Sequence, residues 1–248
     1  MADFDNRVLR GQTGTAGLVD TGLRSYMLRV YNYMLVGLLL TGVTAYLTAE
    51  VPEIRSLFFA FNEQTGRAGL TGLGWVALLA PIGLVFFLSF RIATMSLAAA
   101  QTTFWLYAGI NGIALAPIVL AYAGADVAQA FFVTAATFGA MSLYGYTTQR
   151  DLTGFGSFLF MGLIGVVIAS VVQMFLQSAV MSFVISVVGV LVFTGLTAYD
   201  TQWIKNAYAE ADDAATAGKK AIYGALKLYL DFINLFLMIL RLMGNGRR

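Results

Sequence analysis

Apolar and polar residues segregate along the chain into long blocks. Charged residues gather in short clusters, and between them run stretches of roughly 17 to 25 residues with few charges, the length a helix needs to cross a hydrocarbon core. Seven stretches of this kind are read, at 27–48, 73–90, 95–120, 127–146, 155–176, 180–199 and 223–243. They are continuously apolar, whereas the strands of a transmembrane barrel would alternate, and a backbone in lipid must satisfy its polar groups within the segment. The pattern therefore predicts an all-α membrane protein. Most connections are short, so residues 26–248 are expected to form one bundle, preceded by a polar, flexible cytoplasmic tail over 1–25. Two longer connections, "EVPEIRSLFFAFNEQTGRAGLTG" and "IKNAYAEADDAATAGKK", read as loops.

Composition agrees: 59% of the 248 residues are hydrophobic and 11% charged, against about 25% charged in a soluble domain. The first residues, "MADFDNRVLRGQTGTAGLVDTGLRSY", lack an apolar core and a small-residue cleavage site, so the first span is expected to act as the insertion signal. The chain has neither Cys nor His, which excludes disulfides and thiolate sites and argues against zinc and copper. Any titration near neutrality then falls to a carboxylate or a lysine. A net charge of +2 does not point to nucleic acid.

Lysine and arginine favour one side. With a cytoplasmic N-terminus that side carries Arg7, Arg10, Arg24, Arg29, Arg91, Arg150, Lys205, Lys219, Lys220 and Lys227, and the opposite side only Arg55, Arg67, Arg241, Arg247 and Arg248. The positive-inside bias predicts that orientation. Because Arg241, Arg247 and Arg248 fall at the C-terminus, the seventh crossing is the least secure from charge alone.

Two acids lie within apolar runs: Asp200 in "LTAYDTQWIKNAYAE" and Asp231 in "LKLYLDFINLFLMIL". Ionisable groups at membrane depth face a protein interior, pair with one another or line a water-filled cavity. Ten or eleven helical residues separate each acid from the turn between the last two spans, placing both about 15 Å from that turn on opposite arms of a hairpin. Adjacent helices lie about 8–10 Å apart, so the two carboxylates are expected to meet. Two carboxylates in one site cannot both ionise cheaply, and a shared proton follows. Deprotonated, the pair would attract a hard cation or a guanidinium. The bland alternative places Asp200 at a solvated helix end and lets Lys227, four residues away on the same face, neutralise Asp231.

Other residues are read beside the pair. Asn234 adds a polar group one turn beyond Asp231, for support or for an interhelical hydrogen bond. Arg91 ends the second span, where it either snorkels to headgroups or bridges the aspartates. Glu50, Glu53 and Glu63 form an acidic outer loop. Glycines inside spans, as in "YAGINGIALAP" and "FGSFLFMGLIG", point to close helix packing rather than hinges, and Pro117 is expected to kink its helix.

The segments "AYDTQWIKNAYAE", "LYLDFINLFLMILRLMG" and "YGYTTQRDLTGFGSFLFMGLIGVVIAS" closely resemble the bacterial branch of the Bax inhibitor-1 family, from about Tyr26 to the end. The resemblance implies seven helices, six surrounding a central C-terminal one. It also implies a pH-sensitive calcium leak, with the dyad matching Asp200 and Asp231 as proton sensor and transient calcium site and Arg91 as a latch. Some bacterial members are linked instead to modulation of a membrane-bound quality-control protease, which implies a non-transporting regulator as the alternative. An aspartyl protease is disfavoured, since "LYLDF" lacks a GxGD pattern; no enzymatic role and no bound cofactor are expected.

Overall fold

The computed structural model describes residues 21–62 and 67–245, and the tail over 1–20, with Glu63, Arg247 and Arg248, lies outside them. The described chain is helical apart from one hairpin. Its elements are α1 (Thr21–Glu50), α2 (Pro52–Phe58), β1 (Phe59–Asn62), β2 (Arg67–Leu70), α3 (Gly72–Arg91), α4 (Leu97–Ala121), α5 (Gly124–Thr147), α6 (Thr153–Leu176), α7 (Ala179–Ala207) and α8 (Ala214–Asn245). Six of them, α1 and α3–α7, are long and apolar enough to cross a membrane. The first begins at Thr21, so Thr21–Ser25, read as tail, are helical.

Local chemistry sets the boundaries. Thr71, Ser96 and Ser178 cap α3, α4 and α7, each hydroxyl accepting a backbone N–H of the first turn. Gln177 ends α6 in the left-handed region, φ 48°. Helix α4 runs unbroken through Pro117. The longer outer connection is ordered instead of a plain loop. Pro52 opens the short α2, and β1 pairs antiparallel with β2 in the register Phe59↔Leu70 to Asn62↔Arg67. The Thr71 hydroxyl ties the hairpin's exit to the Leu57 carbonyl at 2.6 Å.

The core lies along α8, which packs against α1, α4, α5 and α7. Ile222, Leu226, Leu228, Tyr229, Leu235 and Leu240 are all buried, while large apolar side chains such as Phe132, Phe158, Phe175 and Leu191 are mostly exposed on the perimeter, where hydrocarbon would meet them. Small residues let the helices close up. A Cβ at Gly112 would strike Thr44 and the Thr41 backbone of α1, and one at Gly145 would strike the Ala198 backbone of α7. Gly165, in the same motif class, faces open space.

Buried polar links set how α8 sits. Asn111 Nδ2 of α4 donates to the Tyr229 hydroxyl at 2.7 Å, which pairs with Thr41 Oγ1 of α1 at 2.7 Å. Thr41 in turn donates toward the Ala108 and Gly37 carbonyls. Tyr229 thus accepts from Asn111 and shares a hydrogen bond with Thr41, joining α4, α8 and α1. A second link joins Tyr31, Ser142 and Thr201 across α1, α5 and α7.

Candidate functional site

The last two long helices form the hairpin that holds the acids. Helix α7 does not stop with its apolar run at Tyr199 but continues to Ala207, and its polar end is fastened to the neighbouring loops. Gln202 donates to the Arg150 carbonyl and accepts from the Leu152 N–H, both at 2.8 Å, and Lys205 Nζ donates to the Tyr146 carbonyl at 2.8 Å. Across the turn, Lys220 Nζ reaches the Ala207 carbonyl at 3.0 Å and Asp212 at 2.6 Å, while Lys219 Nζ reaches the Ala93 carbonyl. These contacts define a lysine-rich end of the bundle. Asp200 is thereby held well inside a continuous helix, 6% exposed, and the expectation of a solvated helix end does not apply to it.

Asp231, on α8, is 4% exposed and lines the same cavity as Asp200. The matched depth on opposite arms therefore does bring the acids together. The cation between the arms is Lys227. Its Nζ sits 2.7 Å from Asp200 Oδ1 and 4.9 Å from the centre of the Trp203 ring, one turn further along α7. The bland alternative, in which Lys227 neutralises Asp231 within its own helix, is not the pairing that forms: Lys227 reaches across to Asp200. Asp231 Oδ2 is buried and has no hydrogen-bond partner among the described residues. With both acids ionised, the three groups together carry one negative charge in a place that water scarcely reaches, a costly arrangement.

The group lines a cavity of about 640 Å3 between α6, α7 and α8. Gly156 and Ser157 of α6, Tyr199 of α7 and Asn234 of α8 contribute to its wall, with Phe160, Leu163 and Phe193 as apolar lining. Gly156 is required there, because a Cβ would run into the Tyr199 ring. Asn234 turns its amide to the Leu230 carbonyl of its own helix at 2.8 Å rather than across to a neighbour. Tyr199, Ser157 and Trp203 were missed in the sequence, and only their helical spacing around Asp200 and the apolar run of α6 could have suggested them.

Arg91 is placed elsewhere. It ends α3, which packs chiefly on α4, and its side chain is exposed and makes no ion pair among the described residues. A bridge from Arg91 to the aspartates is thus not formed, and Lys227 occupies that role geometrically. Glu50 ends α1 and Glu53 lies in the first turn of the short α2, and no group of three or more acidic, His or Cys side chains converges among the described residues. Two carboxylates offer a cation only part of a shell, since calcium takes six to eight oxygens.

Three comparisons bear on this geometry. The family model described as inhibitor of apoptosis-promoting Bax1 matches residues 23–248. An uncharacterized protein of Rickettsia prowazekii is 48% identical over 228 residues, covering 92% of each chain. The inner membrane protein YbhL of Escherichia coli is 47% identical over 228 residues, covering 91% of this chain and 94% of its own.

Proposed function

Since the chain belongs to the Bax inhibitor-1 family, we propose that it is a multi-pass protein of a bacterial inner membrane that lets calcium leak across under the control of a proton shared by Asp200 and Asp231. In this reading α8 is a seventh crossing gathered among the other six, the N-terminus is cytoplasmic, and the chain is a channel and not an enzyme. One observation carries the proposal: a buried carboxylate oxygen, Asp231 Oδ2, without a donor, beside an ion-paired aspartate, on the wall of a cavity at membrane depth.

A proton on the pair supplies the missing donor and brings the three groups to neutrality, with Lys227 and Asp200 as one ion pair. Loss of that proton leaves a net negative charge on the cavity wall. A divalent cation then competes with the Lys227 ammonium for Asp200. Lys227 is suited to yield, because its charge sits on a flexible stem and makes a single-point contact instead of a bidentate one. The remaining calcium ligands would come from water and from the Ser157 and Asn234 oxygens beside the acids. Lys227, and not Arg91, serves as the latch.

Calcium flux into dye-loaded liposomes across a range of pH tests the reading. The paired change Asp200→Asn and Asp231→Asn is expected to abolish both the flux and its pH dependence, and unaltered flux would remove the dyad from the mechanism. A second reading, a non-transporting regulator that docks a membrane-bound protease, draws on α6. That helix packs chiefly on α7 and leaves Gly154 and Gly165 facing open space, the kind of small-residue face on which another helix can settle. Flux-silent liposomes together with a stable crosslinked protease would favour it.

A further inference from the structure

A second cavity, of about 510 Å3, lies in the half of the bundle away from the lysine-rich end. Its walls come from four helices: Leu38 to Glu50 of α1, Leu115 to Val119 of α4, Gly124 to Phe132 of α5, and Phe232 and Phe236 of α8. Apart from the Thr41 hydroxyl, already bonded to Tyr229, and the Tyr46 hydroxyl on its rim, the lining is almost wholly apolar. Among the described residues the only charged one in the lining is Glu50, at the last position of α1, and its side chain is exposed.

The groove is open to the side. Helices α1 and α5 are tied by the Tyr31–Ser142 hydrogen bond nearer the lysine-rich end, and beyond it the cavity separates them. Its rim carries Phe131, Phe132 and Tyr46, which are 45%, 71% and 59% exposed and continuous with the perimeter that hydrocarbon would cover. Two glycines keep it open: a Cβ at Gly42 or at Gly124 meets no atom within 4 Å, whereas one at Gly112, on the α1–α4 contact, meets backbone.

We propose that this groove binds one acyl chain of a membrane phospholipid whose headgroup carries an ammonium. Length supports it. From Glu50 to Leu38 the groove follows twelve residues of α1, roughly 18 Å at 1.5 Å per residue, enough for a chain to cross the ~15 Å of one leaflet of a 30 Å core. A chain entering from that leaflet fits with its headgroup at the helix end. Charge supports the headgroup: Glu50 attracts an ammonium and repels a purely anionic lipid. Water is a poor occupant, because the lining gives it too few hydrogen-bond partners. The site is separate from the aspartate cavity and does not depend on calcium flux, although its inner wall includes Phe232, which directly follows Asp231.

The experiment reconstitutes the full chain in vesicles of equal parts phosphatidylethanolamine and phosphatidylglycerol, with a photoreactive diazirine midway along the acyl chain of one lipid or the other. Labelled peptides are then mapped. Ethanolamine-headed probe is expected to concentrate on residues of the groove, including Phe132 and Phe236, and Gly42→Leu is expected to reduce that labelling several-fold by filling the space. Gly139→Leu, where a Cβ also meets nothing, leaves it unchanged. Glu50→Gln is expected to erase the preference for the ethanolamine probe. Should Gly42→Leu fail to fold, the wild-type map decides: labelling spread evenly over exposed residues such as Phe158 and Phe175 overturns the proposal. Equal labelling by both probes overturns the headgroup assignment.

Discussion

Replacing Lys227 with Met removes the one cation that, among the described residues, stands beside the two buried acids, while keeping most of the side chain's length. Lys227 Nζ and Asp200 Oδ1 are 2.7 Å apart, and the lysine side chain is 26% exposed against 9% for the aspartate. At an effective dielectric constant of about 20, the attraction at that distance is roughly 6 kcal/mol. Desolvation of both charges offsets much of it in the folded protein, but the single substitution leaves Asp200 buried with its charge uncompensated. Breaking a buried pair from one side costs about 3–5 kcal/mol. Lys227→Met is therefore expected to destabilise by that amount, and Asp200→Asn by less, because the lysine can swing toward solvent. The double variant restores neutrality and should recover at least about 2 kcal/mol relative to the sum of the singles. Equilibrium unfolding in mixed detergent micelles, taken around the full double-mutant cycle, measures this coupling. A Lys227→Met cost below about 1 kcal/mol, or strict additivity, would refute the claim that this ion pair holds α7 to α8.

Gly145→Ala should lower stability by about 1–3 kcal/mol in the same assay, since the new methyl meets the Ala198 backbone; Gly139→Ala, on the same helix but facing open space, should be neutral or gain up to about 1 kcal/mol. Hydrogen bonds from Thr216 hold the Asp213 carboxyl below its ordinary range, and its Oδ1 accepts the Thr216 N–H at the start of α8. The folded state thus favours the ionised form, so this cap acts fully above the ordinary carboxylate range and fades as pH falls through and below it. Protection factors of the amides over residues 214–217, with the intrinsic exchange rate at each pH divided out, are expected to fall on acidification in the wild type and to be low at every pH in Asp213→Ala. Arg91→Ala, which removes an exposed side chain without an ion pair among the described residues, is expected to change stability by no more than about 0.5 kcal/mol and to leave the pH profile of the proposed calcium flux unmoved.

The spans were legible because a lipid-facing helix must be apolar along its whole length, and each of the first six predicted runs lies almost entirely within an observed helix. The meeting of Asp200 and Asp231 was legible for a similar reason, since rise per residue converts sequence distance into depth. Rotation about a helix axis is not encoded so simply. Lys227 stands four residues before Asp231, which suggested a contact within one helix, but tight packing of α8 on α7 puts Asp200 within closer reach. Arg91 does not bridge the aspartates here on the same ground: its position along the chain gives a depth, whereas its helix packs chiefly on α4 and leaves the side chain exposed. The short hairpin escaped notice because "FAFN" and "RAGL" are too brief to show alternation. The groove between α1 and α5 depends on where two helices part, and no local pattern records that.

The lysines at one end of the bundle have a further consequence. Lys205, Lys219 and Lys220 each donate to a carbonyl at a chain turn or helix terminus, those of Tyr146, Ala93 and Ala207. The residues that would steer insertion are thus also the fasteners of the finished loops, so a charge-reversal survey aimed at them would disturb assembly and orientation together. Arg91 and Arg150, whose guanidinium groups hold nothing among the described residues, are the positions at which membrane sidedness can be interrogated without unpicking the bundle.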